Sequence, residues 1–141
     1  MNVLLPAPCT QIHVPLVLEN PLTGTKCIID AKIDTGSFAT VISKRTANRL
    51  GLEAFTEDWV ELANGEASMS EVCMCRVHLS EDMEMLDLPL YVMDSDSEQA
   101  LMGMDILSLG DFSAVHRDGD NGQRWLRFTF HLLDEDFSPR M

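Results

Sequence analysis

Apolar and polar residues alternate along several short stretches of this chain, and that alternation is typical of β-strands with one buried face. In the clearest stretch, residues 27–34, apolar side chains at positions 29, 31 and 33 alternate with polar ones at 30, 32 and 34. The same reasoning predicts strands over residues 12–19, 59–62, 67–79, 86–92, 100–104, 112–116 and 125–132, with a further extended run at 39–42. The last of these strands is expected to bury Leu126, Phe128, Phe130 and Leu132 on one side.

Helical signals are confined to two short segments. Ser43 can cap a helix over residues 44–50, which Gly51 would end. Asp105 can cap a further helical turn, which Gly110 would stop. Short strands with one or two short helices predict a small all-β domain.

Turn residues divide the predicted strands into hairpins. Residues 20–25 contain Asn, Pro and Gly and are expected to join the first two strands. Asn64-Gly65 is a strong hairpin signal between the next two, because both residues tolerate a positive φ. Pro89 cannot donate a backbone hydrogen bond, which predicts an edge position for the strand over 86–92.

The length of 141 residues fits one domain. Residues 1–10 are expected to form an N-terminal arm, because Pro6 and Pro8 act against regular structure, with the domain over 11–133 and a C-terminal tail over 134–141. The chain contains no run of about 18 apolar residues and no signal-peptide pattern at its start. We therefore expect a cytoplasmic protein that makes no membrane contact.

Acidic residues dominate the charge balance, with 23 Asp and Glu against 10 Lys and Arg and a net charge of −13. Such a surface repels nucleic acid phosphates, so nucleic acid is not an expected partner. A nucleic-acid mimic is the alternative use of this charge, and an acidic solvated surface is the favoured interpretation.

Cysteine, histidine and acidic residues do not form a metal pattern. Cys73 and Cys75 are expected to point to one face of a strand as buried free thiols, and the four histidines are scattered. Residues 118–122 partly match a calcium loop, but Gly122 occupies a ligand position, so they predict a hairpin turn. No metal or cofactor is expected. The nine methionines are interpreted as core residues, with a Met-lined substrate groove as the alternative.

The sequence Asp34-Thr35-Gly36-Ser37 follows the clearest predicted strand and places a carboxylate at its end. Gly36 lets the chain turn and lets another backbone approach closely. A single Asp at a strand end is most often a turn-former, but an acid held in this way is also what an aspartic protease needs. Such an enzyme needs two, and the chain has one Asp-Thr-Gly, so the second would come from a second copy.

Further motifs strengthen this interpretation. Ile-Asp-Thr-Gly-Ser at 33–37, Asn-Gly at 64–65 and Ala-Leu-Met-Gly-Met-Asp-Ile-Leu at 100–107 together resemble the retropepsin-like aspartic proteases. Residues 110–115 and Phe-Thr-Phe at 128–130 look most like the stand-alone bacterial and phage-type members. The resemblance covers roughly residues 10–133.

The resemblance implies a closed pseudo-barrel and a homodimer with one active site on its two-fold axis. It implies Asp34 as the catalytic residue, with Thr35 hydroxyls bonding across the axis. A Ser37 hydroxyl could donate to the carboxylate and favour its charged form. The remaining implied roles are a flap at Ala63, Asn64 and Gly65, and structural support of the catalytic loop by Leu101, Met102 and Gly103.

The function implied is an aspartic endopeptidase that cuts extended peptides with apolar residues flanking the scissile bond. The alternative is a non-catalytic dimeric peptide-binding module that retains the fold. The intact Asp34-Thr35-Gly36 favours the enzyme, because a binding module has no use for two adjacent carboxylates.

Overall fold

The computed structural model describes residues 1–61, 64–79, 84–95 and 97–133. Within these ranges lie ten strands, two short α-helices and a 3₁₀ turn at 120–122. In chain order the elements are β1 (Asn2–Pro6), β2 (His13–Glu19), β3 (Lys26–Ile33), β4 (Val41–Ser43), α1 (Lys44–Leu50), β5 (Ala54–Glu61), β6 (Ala67–His78), β7 (Met85–Met93), β8 (Gln99–Met102), α2 (Met104–Leu107), β9 (Gly110–Asp118) and β10 (Arg124–Leu132). No helix in these ranges is long and apolar enough to cross a membrane.

Six strands close into a barrel. Their order is β2-β3-β8-β4-β7-β6, and β6 returns to pair with β2, so that residues 17–19 lie opposite residues 76–78. Strand β5 pairs with β6 outside this ring. The predicted all-β class and closed pseudo-barrel are therefore confirmed.

The barrel interior is filled by the apolar side chains that alternate along its strands. In β3 every second residue from Cys27 to Ala31 is buried, as the sequence predicts, and Ile33 is half-buried. In β6 and just beyond it the buried face carries Cys73, Cys75, Val77 and Leu79. The cysteines are free thiols, and burial raises the pKa of Cys75 to about 12, so it stays protonated in the core.

A second sheet of three strands, in the order β1-β10-β9, packs against the barrel. The expectation that prolines keep residues 1–10 out of regular structure is wrong for β1, which pairs with β10 from Asn2–Thr129 to Pro6–Trp125. Pro6 is tolerated because it is the last residue of a strand at the end of the sheet. The predicted buried side of β10 is confirmed for Leu126, Phe128 and Phe130, and Leu132 is half-buried.

The predicted edge position of the strand that contains Pro89 is also wrong, because β7 lies between β4 and β6. Within β7, only residues 91–93 pair with β4. Pro89 therefore faces Met74 of β6 on one side and lies before the start of the β4 pairing on the other. A proline fits an inner strand here because that strand has a second partner along only part of its length.

Strand β5 begins at Ala54, five residues before the predicted start at Trp59. All but one of its eight residues are exposed. A strand outside the ring has no buried face, so its sequence carries no apolar alternation from which its start could be predicted.

The first helix agrees with its predicted caps. The Ser43 hydroxyl accepts a hydrogen bond from the Thr46 amide at 3.1 Å, and Gly51 ends the helix with a φ of +68°. The second helix differs, because its N-cap is Gly103 and Asp105 lies inside it. Ser108 ends it, and Gly110 begins β9.

Candidate active site

Asp34 is the first residue after β3 and is half-buried. Its amide donates to the Met102 carbonyl at 3.0 Å, so the backbone of β8 supports this turn. Its Oδ1 accepts a hydrogen bond from the Gly36 amide at 2.9 Å. A Cβ at position 36 would lie 3.2 Å from the same oxygen, which is a tight contact. Glycine avoids this contact and leaves the position of the carboxylate undisturbed.

The next residues of the motif turn toward solvent. Thr35 and Gly36 are exposed, and Ser37 is half-buried. The Ser37 hydroxyl donates to the Ala39 carbonyl at 2.7 Å. The predicted hydrogen bond from Ser37 to the Asp34 carboxylate is therefore not made, because its single donor stabilises the loop instead.

Residues 34–40, here called the Asp34 loop, are hydrogen-bonded along one side to the start of α2. The Met104 amide donates to the Ser37 carbonyl at 2.8 Å, and the Asp105 amide donates to the Phe38 carbonyl at 3.1 Å. The Gly103 amide donates to the Thr40 hydroxyl at 3.2 Å. Three successive residues thus hold the Asp34 loop in place.

Gly103 lies where no side chain fits. A Cβ there would be 2.4 Å from the Ala39 carbonyl oxygen and 2.8 Å from the Ser37 carbonyl oxygen. Of the other two residues predicted to support this loop, Met102 is fully buried and lies beside Ile33 in the parallel pairing of β3 and β8. Leu101 pairs with Val41 and lines the neighbouring cavity.

Asp105 makes a contact that the sequence did not predict. Its carboxylate accepts two hydrogen bonds from Thr40, from the amide at 2.8 Å and from the hydroxyl at 2.7 Å. Thr40 is fully buried, so these bonds satisfy polar groups that water does not reach. No local signal in the sequence relates two residues 65 positions apart.

The predicted flap corresponds to the hairpin of β5 and β6, with Asn64 and Gly65 near its tip. Gly65 has a φ of +84°, which glycine adopts without strain. The Asn64 side chain accepts a hydrogen bond from the Glu66 amide at 3.0 Å, which stabilises the turn locally. Ala63 lies outside the described residues.

A cavity of about 660 Å³ separates the Asp34 loop from this hairpin. Its lining comes from the loop, the hairpin, β4, β7 and β8: Ser37, Phe38, Ala39, Val41, Lys44, Val60, Glu61, Ser68, Met69, Ser70, Glu71, Tyr91, Val92, Met93, Asp94 and Leu101. Most of these side chains are apolar. The cavity begins three residues after Asp34 and is large enough to accept a peptide side chain.

Tyr91 connects the hairpin to the opposite wall of the cavity, another contact that the sequence did not predict. Its hydroxyl donates to the Asp58 carboxylate of β5 at 2.6 Å, and this bond is the main cause of its raised pKa. Its ring meets Phe38 edge-on, with centroids 5.6 Å apart. Tyr91 therefore contacts both the Asp34 loop and the hairpin.

The chemistry available at this site is that of a carboxylate beside an apolar cavity. A carboxylate can accept or donate a proton but forms no dyad by itself. Within the described ranges no cluster of three or more His, Cys, Asp or Glu side chains is placed to hold a metal ion.

Comparisons with known proteins agree with this geometry. Residues 24–109, more than half of the chain, match the model of the family described as "gag-polyprotein putative aspartyl protease". That range includes the Asp34 loop, the β5–β6 hairpin and the segment from β8 to α2. The chain therefore belongs to this family of retropepsin-like aspartic proteases.

Two solved structures share the fold. A retropepsin-like aspartic protease from Rickettsia conorii superposes with a TM-score of 0.56 at 15% identity, and the match covers 90% of each chain. The retroviral protease-like domain of Ddi1 from Leishmania major gives a TM-score of 0.52 at 20% identity, covering 93% of this chain and 100% of that one. None of the curated proteins matches the chain.

Proposed function

We propose that this protein is an aspartic endopeptidase that acts as a homodimer, with one Asp34 from each subunit. The observation that carries the proposal is the turn after β3, where a half-buried carboxylate is oriented by the Gly36 amide and held by hydrogen bonds from residues 103–105. Family membership supports it, because this turn lies inside the matched range. The peptide would lie in the apolar cavity beside the loop.

The dimer follows from the chemistry that one carboxylate lacks. Two carboxyl groups about 3 Å apart cannot both ionise readily, so they share one proton and titrate as a unit. The ionised Asp34 takes a proton from a water molecule that attacks the scissile carbonyl carbon. The protonated Asp34 of the partner subunit donates its proton to the carbonyl oxygen. In the tetrahedral diol that results, the C–N bond breaks as the amide nitrogen takes the proton held by the first Asp34 and the diol returns a proton to the partner's Asp34, so the products form without a covalent enzyme intermediate.

The hairpin tip is proposed as the cover of this site. Asn64 and Gly65 lie at the end of two strands that form one wall of the cavity. Closure over a bound peptide would exclude water from the reaction. Thr35 is exposed next to Asp34, which suits a contact with the second subunit.

Cleavage of a diverse peptide library by wild type and by Asp34→Asn tests the proposal. Asp34→Asn keeps the side-chain volume but removes the shared proton, so we expect a folded protein whose activity falls by three orders of magnitude or more. Asp30→Asn is the matched control, because Asp30 lies on β3, the strand that leads to Asp34, with its side chain about half exposed and bonded to His13. A folded and fully active Asp34→Asn would refute the mechanism.

A dilution series tests the dimer separately. Activity per chain and the mass from light scattering should fall together as the dimer dissociates. A monomer with full specific activity would exclude a shared site. Peptide binding by a wild-type protein that cleaves nothing would instead indicate the peptide-binding module.

A further inference from the structure

The cavity beside the Asp34 loop carries an excess of negative charge at its surface. Its lining contains three carboxylates, from Glu61, Glu71 and Asp94, and one ammonium group, from Lys44. Lys44 Nζ donates to Glu71 Oε1 at 3.0 Å, and both side chains are close to half exposed. Asp94 lies near enough to add to the electrostatic field at Lys44.

Three of the charged groups, Lys44, Glu71 and Asp94, lie together at one end of the cavity, away from the loop. Residues 41–43 of β4 run parallel to residues 91–93 of β7, and Lys44 and Asp94 follow at the same end of these strands. Glu71 lies opposite Val92 in the pairing of β6 and β7, so it reaches the same region. At roughly 3.3 Å per strand residue, Lys44 lies about 10 Å along the chain from Val41.

The walls between the loop and these charges are apolar. The Phe38 ring meets the Tyr91 ring, and Val41 pairs with both Tyr91 and Leu101, so four lining side chains lie together at the end of the cavity nearest the loop. A side chain that enters beside Ser37 therefore meets apolar surface first and carboxylates at its far end. Arginine and lysine have this same order, an apolar stem followed by a cationic end.

We propose that this cavity is a specificity pocket for an arginine or lysine side chain of the substrate, and that Glu71 and Asp94 determine the preference. This inference rests on the proposed peptidase function and names its substrate class. Two carboxylates and one ammonium group attract a further cation and repel an acidic side chain. The net charge of −13 also attracts basic peptides and repels acidic ones.

The test compares peptides that differ at one residue beside the scissile bond, with arginine, lysine, norleucine or glutamate in each flanking position in turn. Norleucine matches the lysine stem without its charge. For the wild type we expect kcat/KM to be roughly tenfold higher with arginine or lysine than with glutamate. Norleucine should fall between them.

Glu71→Gln and Asp94→Asn should each reduce the ratio of arginine to norleucine cleavage severalfold. Asp118→Asn is the matched control, because it makes the same charge change at the last residue of β9, where the side chain is 86% exposed. The ratio should stay at its wild-type value in this control. Should Glu71→Gln fail to fold, Asp94→Asn alone decides the comparison.

Cleavage without a preference for basic residues, or a preference that survives both substitutions, would overturn this inference and leave the peptidase intact. If the wild type cleaves none of the peptides, the peptidase proposal fails. Binding of the same peptides, measured by fluorescence anisotropy, then tests whether the cavity prefers a basic side chain. Tighter binding of arginine than of glutamate peptides would support it. Equal binding, or none, would overturn it.

Discussion

The Asp34 loop and the β5–β6 hairpin face each other across one cavity, but the chain holds them in opposite ways. The loop has its buried residues Ala39 and Thr40 hydrogen-bonded or packed against the segment from Gly103 to Asp105. In the hairpin, β6 joins the barrel by pairing with β7 from residue 71 onward, whereas β5 pairs only with β6 and is exposed along nearly all of its length. Two further hydrogen bonds that involve side chains join the hairpin to β7, from Tyr91 to Asp58 and from Ser70 to Val92.

This difference matches what each region has to do in the proposed reaction. A carboxylate that shares a proton with a partner needs a fixed position, because small misplacements cost large factors in rate. A cover needs to open and close, and segments with few buried contacts have low local stability. Substitutions in the loop should therefore affect folding and catalysis together, whereas substitutions at the hairpin tip should affect catalysis far more than folding.

The largest effect is expected for Gly103→Ala. The new methyl group would lie 2.4 Å from the Ala39 carbonyl oxygen, so the Asp34 loop must move. We expect the free energy of unfolding to fall by about 3 kcal/mol, measured by urea denaturation, and kcat/KM to fall with it.

Gly24→Ala is the control for Gly103→Ala. Position 24 has nothing within 4 Å of the added Cβ, and its φ of +79° costs the variant about 1 kcal/mol in strain alone. A Gly103→Ala protein as stable as Gly24→Ala would show that the loop tolerates displacement.

Asp105→Asn should have the next largest effect. The amide has one acceptor oxygen where the carboxylate has two, so one of the bonds from Thr40 is lost and the other is no longer strengthened by charge, and stability should fall by about 1–2 kcal/mol. Because the Asp34 loop would be positioned less accurately, kcat should fall about tenfold with little change in KM.

Asp111→Asn is the control for Asp105→Asn. The Asp111 side chain is 71% exposed and approaches His131 only to 3.9 Å. If Asp105→Asn loses stability but keeps its kcat, Asp105 stabilises the fold without positioning the loop.

Gly65→Val tests the hairpin. A β-branched residue is strained at a φ of +84°, so the tip should distort. We expect a severalfold rise in KM and a similar fall in kcat, with a fall in melting temperature of only a few degrees from the strained φ, because nothing lies within 4 Å of the added Cβ.

Gly65→Asn should behave like the wild type, because asparagine tolerates a positive φ. A Gly65→Val protein that melts early but cleaves normally would show that the hairpin is structural, and the flap assignment would be wrong.

The smallest effect is expected for Glu19→Gln, a substitution in the barrel that supports both regions. Glu19 of β2 contacts His78 at 2.8 Å and Arg76 at 3.4 Å, both on β6, where the ring closes. The hydrogen bond from His78 is the main cause of a lowered pKa of Glu19, with Lys26 and Arg76 contributing and burial opposing it.

A lowered pKa means that Glu19 stabilises the fold above its ordinary value of 4.5 and loses that contribution as the pH falls through the folded-state value. Glu19→Gln should therefore unfold more readily than the wild type at pH 7. In urea denaturation, the difference in the free energy of unfolding between the two proteins should shrink as the pH is lowered. A difference that stays constant down to pH 3 would show that the ionised carboxylate does not stabilise the pairing of β2 with β6.

Local patterns were sufficient for much of the fold. The alternation along β3 and β6 predicts which faces are buried, because a strand at a barrel wall has one side in the core. Ser43 and Gly51 predict both ends of α1, because caps are made within a few residues of the helix. Asp34 was identified by a motif whose turn is also local.

Other features depend on contacts between distant parts of the chain. Nothing near Pro89 shows that β4 pairs with only three residues of β7, and β1 becomes a strand only because β10 pairs with it. The local sequence predicts Asp105 as a helix cap, whereas in the folded protein its carboxylate binds Thr40. Ser37 donates to the Ala39 carbonyl because the folded loop places that carbonyl beside its hydroxyl. Neighbouring residues thus specified the buried faces of β3 and β6, both caps of α1 and the turn at Asp34, whereas β1, the partners of each strand and the hydrogen-bond acceptors around Asp34 arise only when the barrel closes.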